Sequence, residues 1–492
     1  MGDIGRISLC RRAALTLLGV AGLAACGQAH EPAAGRQATG TDAASGSDSV
    51  GRLPLQPGRG CELPKLPPRK ATVVAFDASG QQRWSVPLPV GMEMDANVGP
   101  LVDGDTVYTT QGDELRALAA ADGQQRWRLP LGGHVYDASI AGGVLVVRVG
   151  PLERGRLLGV DPATGRLRWR YPLRPGPLSW QHVSTADGGI VTIGDRGTLV
   201  MLHRRDGNLR WSRPARGRGT PKIFTAASDR VLRLNHGALE AYQAATGRLL
   251  WRTAGVHHGL DFEANLSVSR DGVVVWDHTS AATAVAAYRL DSGERRWRLG
   301  GLREPAVIGV GSAGVAVVSQ IDRNQRHELL LVDPVSGRVN WRRGLPGPLD
   351  LDMNPAVDRL ALVTRSEVVL VTRGPRGQAP IVLAAYRARD GDLGWRIPIQ
   401  ADHWPTWTPD GRLLIVGSPP DSPAPKPSLT AVDVRGGRLL WRSPLPMIAD
   451  RPATPLGGGA VIQMWDPPRG CADVGTAAVG AGDRGTRPAD VP

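Results

Sequence analysis

A Gly-x-x-x-Trp spacing recurs nine times along the sequence, and this periodicity leaves few folds open. The pairs are Gly80/Trp84, Gly123/Trp127, Gly165/Trp169, Gly207/Trp211, Gly247/Trp251, Gly293/Trp297, Gly337/Trp341, Gly391/Trp395 and Gly437/Trp441. Successive tryptophans lie 43, 42, 42, 40, 46, 44, 54 and 46 residues apart. A repeat of that length means one supersecondary unit stacked many times.

Each copy has the same local grammar. An apolar run such as "RLLGVD" leads into a polar turn such as "PATG", and a second run carries the Trp. This predicts a β-hairpin. The glycine suits a tight turn that needs positive φ, and the Asp or Ser/Thr before it can bond the turn backbone. Two more strand-like runs precede each hairpin, for example "VYDASIAGG" and "VLVVRVG". Every period thus holds four short strands and almost no helical periodicity, which makes the chain all-β.

Four-stranded sheets at this period fit a single β-propeller, whose radial arrangement leaves only short edges. A tryptophan at a fixed place in each outer hairpin is expected to lie between neighbouring sheets. A linear β-solenoid has shorter coils than this period. The Asp-x-x-Thr-Gly-x-x-x-Trp run of Asp161 to Trp169, and its copy from Asp333 to Trp341 with Ser336 for Thr, resembles the repeat of quinoprotein-type (PQQ-like) β-propellers. The resemblance covers residues 71–466. That family includes pyrroloquinoline quinone dehydrogenases, the barrel-assembly lipoprotein BamB, and bacterial sensor and scaffold propellers. Its motif specifies the fold and says little about activity.

Counting by motif gives nine sheets, whereas the resemblance implies the family's usual eight. Eight Trp-to-Trp intervals each hold a whole sheet. The hairpin around Gly80 and the segment Pro452 to Trp465 are left over, and together they make a composite sheet that closes the ring with strands from both termini.

The ends speak to location. Arg11 and Arg12 precede an apolar stretch, Ala13 to Leu23, that is too short to span a bilayer and reads as a signal core. It ends in "LAACG", which resembles a bacterial lipobox with cleavage before Cys26. Residues 1–25 are then a lipoprotein signal peptide, and acylated Cys26 anchors the protein to a membrane on its extracytoplasmic side. The run Cys10 to Leu15 also resembles a twin-arginine export signal, with ordinary Sec export as the alternative. Residues 26–70 are rich in Ala, Gly, Ser, Thr and Pro and read as a disordered tether. As a flexible coil it reaches about 35–40 Å. Residues 467–492 read as a disordered tail. After export and lipidation two thiols remain, Cys61 and Cys471, one on each side of the repeats. An even pair in an oxidising compartment favours a disulfide, and a closed ring brings its ends together.

The formal charge is +13, and loss of the signal peptide with Arg6, Arg11, Arg12 and Asp3 leaves +11. Its distribution argues against nucleic acid. Arginine follows the motif Trp in seven copies, at Arg128, Arg170, Arg252, Arg298, Arg342, Arg396 and Arg442. Such a residue points away from the Trp face, and a charge on each outermost strand discourages edge pairing.

No catalytic set stands out. There is no His-Glu-x-x-His, Cys-x-x-Cys or Gly-x-Ser-x-Gly. His257 and His258 adjoin Asp261 and Glu263, which reads as a solvated loop ahead of a metal site. "GVGSAG", Gly309 to Gly314, matches the dinucleotide fingerprint, but the following "VAVVSQ" is a strand where that motif needs a helix. The vicinal cysteines of quinone-dependent dehydrogenases are missing, and no calcium-ligand set can be matched, so neither cofactor nor metal is expected. Two segments break the repeat: the Pro-rich run Ser418 to Ser428, and "HWPTWTP", His403 to Pro409, which offers Trp404 and Trp407 as recognition aromatics. The expected function is a non-enzymatic, lipid-anchored, monomeric propeller that binds a protein or envelope ligand. A quinoprotein oxidoreductase and a BamB-like outer-membrane barrel assembly factor are the alternatives.

Overall fold

The computed structural model describes residues 69–465 apart from 92–98, 151–154, 174–182, 195–196, 216–222, 228, 236, 257–263, 269–271, 278–283, 323–325, 347–360, 373–380, 400–404, 409–410, 418–426 and 448–452. Within them the chain forms thirty-six strands, β1 to β36, and no α-helix.

The strands make nine antiparallel four-stranded sheets. Eight are built from consecutive strands: β3–β6 (101–130), β7–β10 (135–172), β11–β14 (184–213), β15–β18 (223–254), β19–β22 (264–299), β23–β26 (306–344), β27–β30 (361–399) and β31–β34 (405–444). The ninth is composite. Its order is β2 (Gln82–Gly91), β1 (Arg69–Phe76), β36 (Gly459–Trp465) and β35 (Thr454–Leu456), so each terminus supplies two strands. The count is therefore the nine of the motif, not the eight that the family resemblance implied, because the leftover runs at the two ends complete one further blade. The sheets form a β-propeller. First strands of neighbouring blades lie side by side, as β3 (Leu101–Asp103) does with β7 (Val135–Ile140) and with β35, and these strands form the inner wall.

The motif turn is built as its residues suggest. Asp161 Oδ1 accepts hydrogen bonds from the backbone N–H of Ala163 and Thr164, at 3.0 and 2.9 Å, and from the Thr164 hydroxyl. The Arg168 guanidinium beside it holds the Asp161 carboxyl down at about 2. Gly165 N–H closes the turn on the Asp161 carbonyl. Gly165 itself sits at φ 70°, a conformation costly for any side chain with a Cβ.

Three residues later the ladder slips. In all nine hairpins a β-bulge falls at the residue before the Trp, for instance between Leu167 and Trp169. An extra residue there increases the local twist and re-aims the side chains that follow. The bulge residue is useful in its own right: Arg126 reaches across its blade to Asp105 at 2.9 and 2.6 Å, and Arg210 reaches Asp187 at 2.9 Å. Both clamp the turn between the first two strands.

Second and third strands are almost wholly buried, and each apolar cluster spans two or three blades. One joins Tyr108, Leu115 and Ala117 of one sheet to Val135, Leu145, Val147 and Leu158 of the next. Burial between sheets, at roughly 1.5–3 kcal/mol per large side chain, is what holds the ring together.

Candidate functional site

The repeat residues do one job, which is to join blades. Each motif Trp lies over the motif glycine of the following blade: Trp84 on Gly123, Trp127 on Gly165, Trp169 on Gly207, Trp211 on Gly247, Trp251 on Gly293, Trp297 on Gly337, Trp341 on Gly391 and Trp395 on Gly437. The ninth, Trp441, lies on Gly80 and closes the circle. A Cβ on any of these glycines would fall inside the ring's van der Waals radius, at 2.6 Å from Trp127 Cδ2 in the case of Gly165.

Seven of the indoles add a hydrogen bond. Nε1 of Trp84, Trp127, Trp169, Trp211, Trp251, Trp297 and Trp341 donates to the carbonyl three residues before the glycine it covers, at 2.8–3.1 Å. Trp395 and Trp441 make no such bond. The turn facing Trp441 explains its exception: "DASG" is one residue shorter than "DPATG", and Gly80 N–H takes the Asp77 carbonyl at 3.1 Å. The Trp441 N–H is left buried without a partner.

The sequence reading missed the residue opposite each Trp. Ala75, Ala117, Gly159, Ala241, Ala287, Ala385 and Ala431 pair directly with a motif Trp on the adjoining strand; only Met201 and Leu331 are larger. A small residue there leaves room for the indole, as Gly159 does for Trp169, whose ring would meet a Cβ at 2.0 Å. The signal was present as a small residue nine or ten positions before seven of the nine tryptophans.

All seven arginines that follow the Trp are exposed on the outer strands. Two of them pair with carboxylates on the adjoining strand, Arg252 with Glu240 at 3.4 Å and Arg342 with Glu328 at 3.2 Å. The run Gly309 to Gly314 is the end of β23 (Ala306–Gly311), a two-residue turn and the start of β24 (Gly314–Gln320). That settles it as a hairpin and not a phosphate cradle.

Motif turns lie at one end of every blade. The connections from fourth to first strands, and from second to third, lie at the other, and there the core changes character. In seven second strands a buried polar residue stands among the last three positions: Thr109 to Gln111, Arg148, Thr192, Arg233, Ser319, Thr372 and Gln463. Where such residues meet across a seam they can join blades. Gln463 accepts from the Thr109 hydroxyl at 3.0 Å, linking the composite blade to its neighbour. Arg233 is wholly buried and fully answered: it donates to Glu240 Oε2 at 3.0 and 2.7 Å and to the Arg213 carbonyl at 3.1 Å, and Tyr242 Oη donates to the same carboxylate. Asp137 differs, since burial pushes its carboxyl up to about 7 against the pull of Arg148.

Trp407 stands on the first strand β31 (Pro405–Trp407), half-buried against a core cluster that includes Leu413 and Val432. Its partner in the sequence reading, Trp404, lies outside the described residues, as do Cys26, Cys61, Cys471, His257, His258, Asp261, Glu263 and nearly all of Ser418 to Ser428.

A family model described as outer membrane protein assembly factor BamB matches residues 69–233 and 215–443. The chain belongs to that family. Its PQQ-like, BamB-type propeller is also similar to part of the serine/threonine-protein kinase AfsK of Streptomyces griseus, with 32% identity over 165 residues, 29% of this chain and 19% of that protein. The quinohemoprotein alcohol dehydrogenase ADH IIB of Pseudomonas putida is 26% identical over 167 residues, 30% of this chain and 22% of that one. The matches thus span about a fifth of each relative's length. Among solved structures, a eukaryotic initiation factor superposes with a TM-score of 0.54 at 11% identity, over 81% of this chain and 99% of that chain, a likeness of fold alone.

Proposed function

We propose that this BamB-type propeller is a non-enzymatic binding or scaffold module, held by a lipid on Cys26 at the extracytoplasmic side of a membrane, whose loop end receives a protein or envelope ligand. The observation that carries the reading is the employment of the repeat. Every motif Trp and Gly is used to weld one blade to the next, which produces a stiff ring and leaves the loop end free to vary. Rigid rings of this kind present binding residues on loops held by a scaffold. The family match supports a protein partner, and barrel assembly in an outer membrane is the narrower form of that idea.

Cross-linking in native membranes, followed by affinity purification of the full chain, tests it. Recovery of one stoichiometric envelope partner, lost when loop-end residues are replaced, is the expected result. Cys26→Ser should move the protein into the soluble fraction, and a variant that stayed membrane-bound after a high-salt wash would remove the lipid anchor from the proposal. The partial likeness to a quinohemoprotein dehydrogenase favours a second reading, a pyrroloquinoline quinone oxidoreductase. Reconstitution with that quinone and calcium, then dye-linked alcohol oxidation, separates the two, because the scaffold reading expects no turnover.

A further inference from the structure

Arg148 is an interior cation whose Nε has no hydrogen-bond acceptor. It stands on β8 (Leu145–Val149), is 8% exposed, and its Nε is sealed from solvent with no acceptor. Directly opposite on β7 is Asp137, whose Oδ2 is likewise sealed and unpartnered. Two positions along β7, on the same face of the sheet, Ser139 is 1% exposed with an unpartnered Oγ. Three buried polar atoms therefore look the same way with nothing to meet them. Leaving such atoms unmatched is costly, and more so where a charge is involved. The fold has a ready remedy for a buried arginine, because Arg233 two blades on meets a carboxylate and a carbonyl. Arg148 feels the charge of the Asp137 carboxyl opposite it, but its Nε makes no such bond.

The face in question looks across a seam. Val146, opposite Ser139, belongs to the cluster that joins this blade to Ile190 and Leu202 of the blade β11–β14. Thr192, two residues after Ile190 on the strand Gly189–Ile193 and 1% exposed, supplies a hydroxyl from the facing side. The register repeats that of Gln463 and Thr109, which do bond across their own seam. Arg148 and Thr192 stand toward the loop end of their strands, and Asp137 is only half-buried as a residue, so the group lies near the mouth of the ring.

We propose that this seam is a binding site for a carboxylate group, gripped by the Arg148 guanidinium, the Ser139 hydroxyl and the Asp137 carboxyl, with Thr192 closing it from the next blade. The guanidinium fork matches the two oxygens of a carboxylate, and a single negative charge balances the single fixed positive one. With its carboxyl pushed up to about 7 by burial, Asp137 is mostly protonated below neutral pH, where it donates a hydrogen bond and does not repel the anion. A ligand presenting a side-chain or C-terminal carboxylate fits this chemistry. The inference rests on these buried groups and is independent of the scaffold role and of the membrane anchor.

The test uses the purified full chain and acetate as probe. Carboxyl-labelled acetate is titrated at pH 6.5 and constant ionic strength against chloride, with binding read from its NMR line broadening and from the melting temperature. Saturable broadening and stabilisation by acetate, absent with chloride, are expected. Arg148→Gln should abolish both, Ser139→Ala should weaken binding about tenfold, the loss of one hydrogen bond of about 1.4 kcal/mol, and Arg128→Gln on the exposed rim should change neither. If Arg148→Gln fails to fold, Ser139→Ala decides. Equal binding by wild type and Ser139→Ala, a response to chloride as large as to acetate, or inorganic phosphate binding as tightly as acetate would each overturn the carboxylate site.

Discussion

Trp441 lies against Gly80, so the last motif of the chain closes on the first and the ring is sealed by the same contact that joins every other pair of blades. Ser443, two residues on, reinforces the seam by donating to the Gly80 carbonyl. Position 80 is at φ 82°, and a Cβ there would come within 2.6 Å of the indole. Gly80→Ala should therefore cost about 2–5 kcal/mol, the sum of left-handed strain and overpacking. Gly104→Ala makes the control, since Gly104 has φ 58° but open space around it, and should cost only about 1–2 kcal/mol. Equal losses in urea unfolding would contradict the seam.

The missing hydrogen bond at the closing seam gives a sharper comparison. Trp211→Phe removes a bond to the Ala244 carbonyl as well as ring volume, and should cost about 1–3 kcal/mol. Trp441→Phe removes a buried N–H that has no partner, so it should be about 1 kcal/mol less damaging. Paired denaturation curves check the order, and a larger loss at Trp441 would show that its indole N–H is engaged after all.

Asp137 predicts a pH dependence of definite sign. Its folded carboxyl titrates at about 7, above the ordinary carboxylate value of 3.8. Between those limits the folded protein keeps a proton that the unfolded chain releases, so the residue's contribution to stability falls as pH rises through that window. Asn does not titrate. Asp137→Asn should gain on the wild type progressively from pH 4 to pH 7 and hold a constant advantage above. A stability difference that is flat across this range would place the carboxyl in an ordinary environment.

The clasp between Cys61 and Cys471 remains a proposal, and the composite blade supports it. Ala71 and Trp465 are direct partners in the β1–β36 ladder, with Cys61 ten positions before the one and Cys471 six after the other. The two flanking segments thus leave the ring from adjacent points. A bridge would close a loop of 410 positions, worth at most about 6 kcal/mol in the chain-entropy account. Non-reducing peptide mapping of the exported protein should recover both cysteines in one linked peptide, and two alkylatable thiols in the unreduced protein would refute the bond.

Much of this architecture was legible before any coordinates. Residues such as Asp161, Thr164, Gly165 and Trp169 act within a few positions of one another, and local turn chemistry together with a strand period of two reveals them directly. Their ninefold recurrence pointed to nine blades against the eight that the resemblance implied, and the paired runs at the two ends, which complete the ninth sheet, decide for nine. What the sequence could not decide lies across seams. Which glycine each Trp covers, why Trp441 lacks the bond that Trp211 makes, and why the Nε of Arg233 has an acceptor while that of Arg148 does not all depend on how two blades, some forty residues apart in sequence, are set face to face. No local pattern encodes that relationship, because the partner of a buried polar group is chosen by distance in space, and only the closed ring brings Asp137, Ser139, Arg148 and Thr192 to a common face.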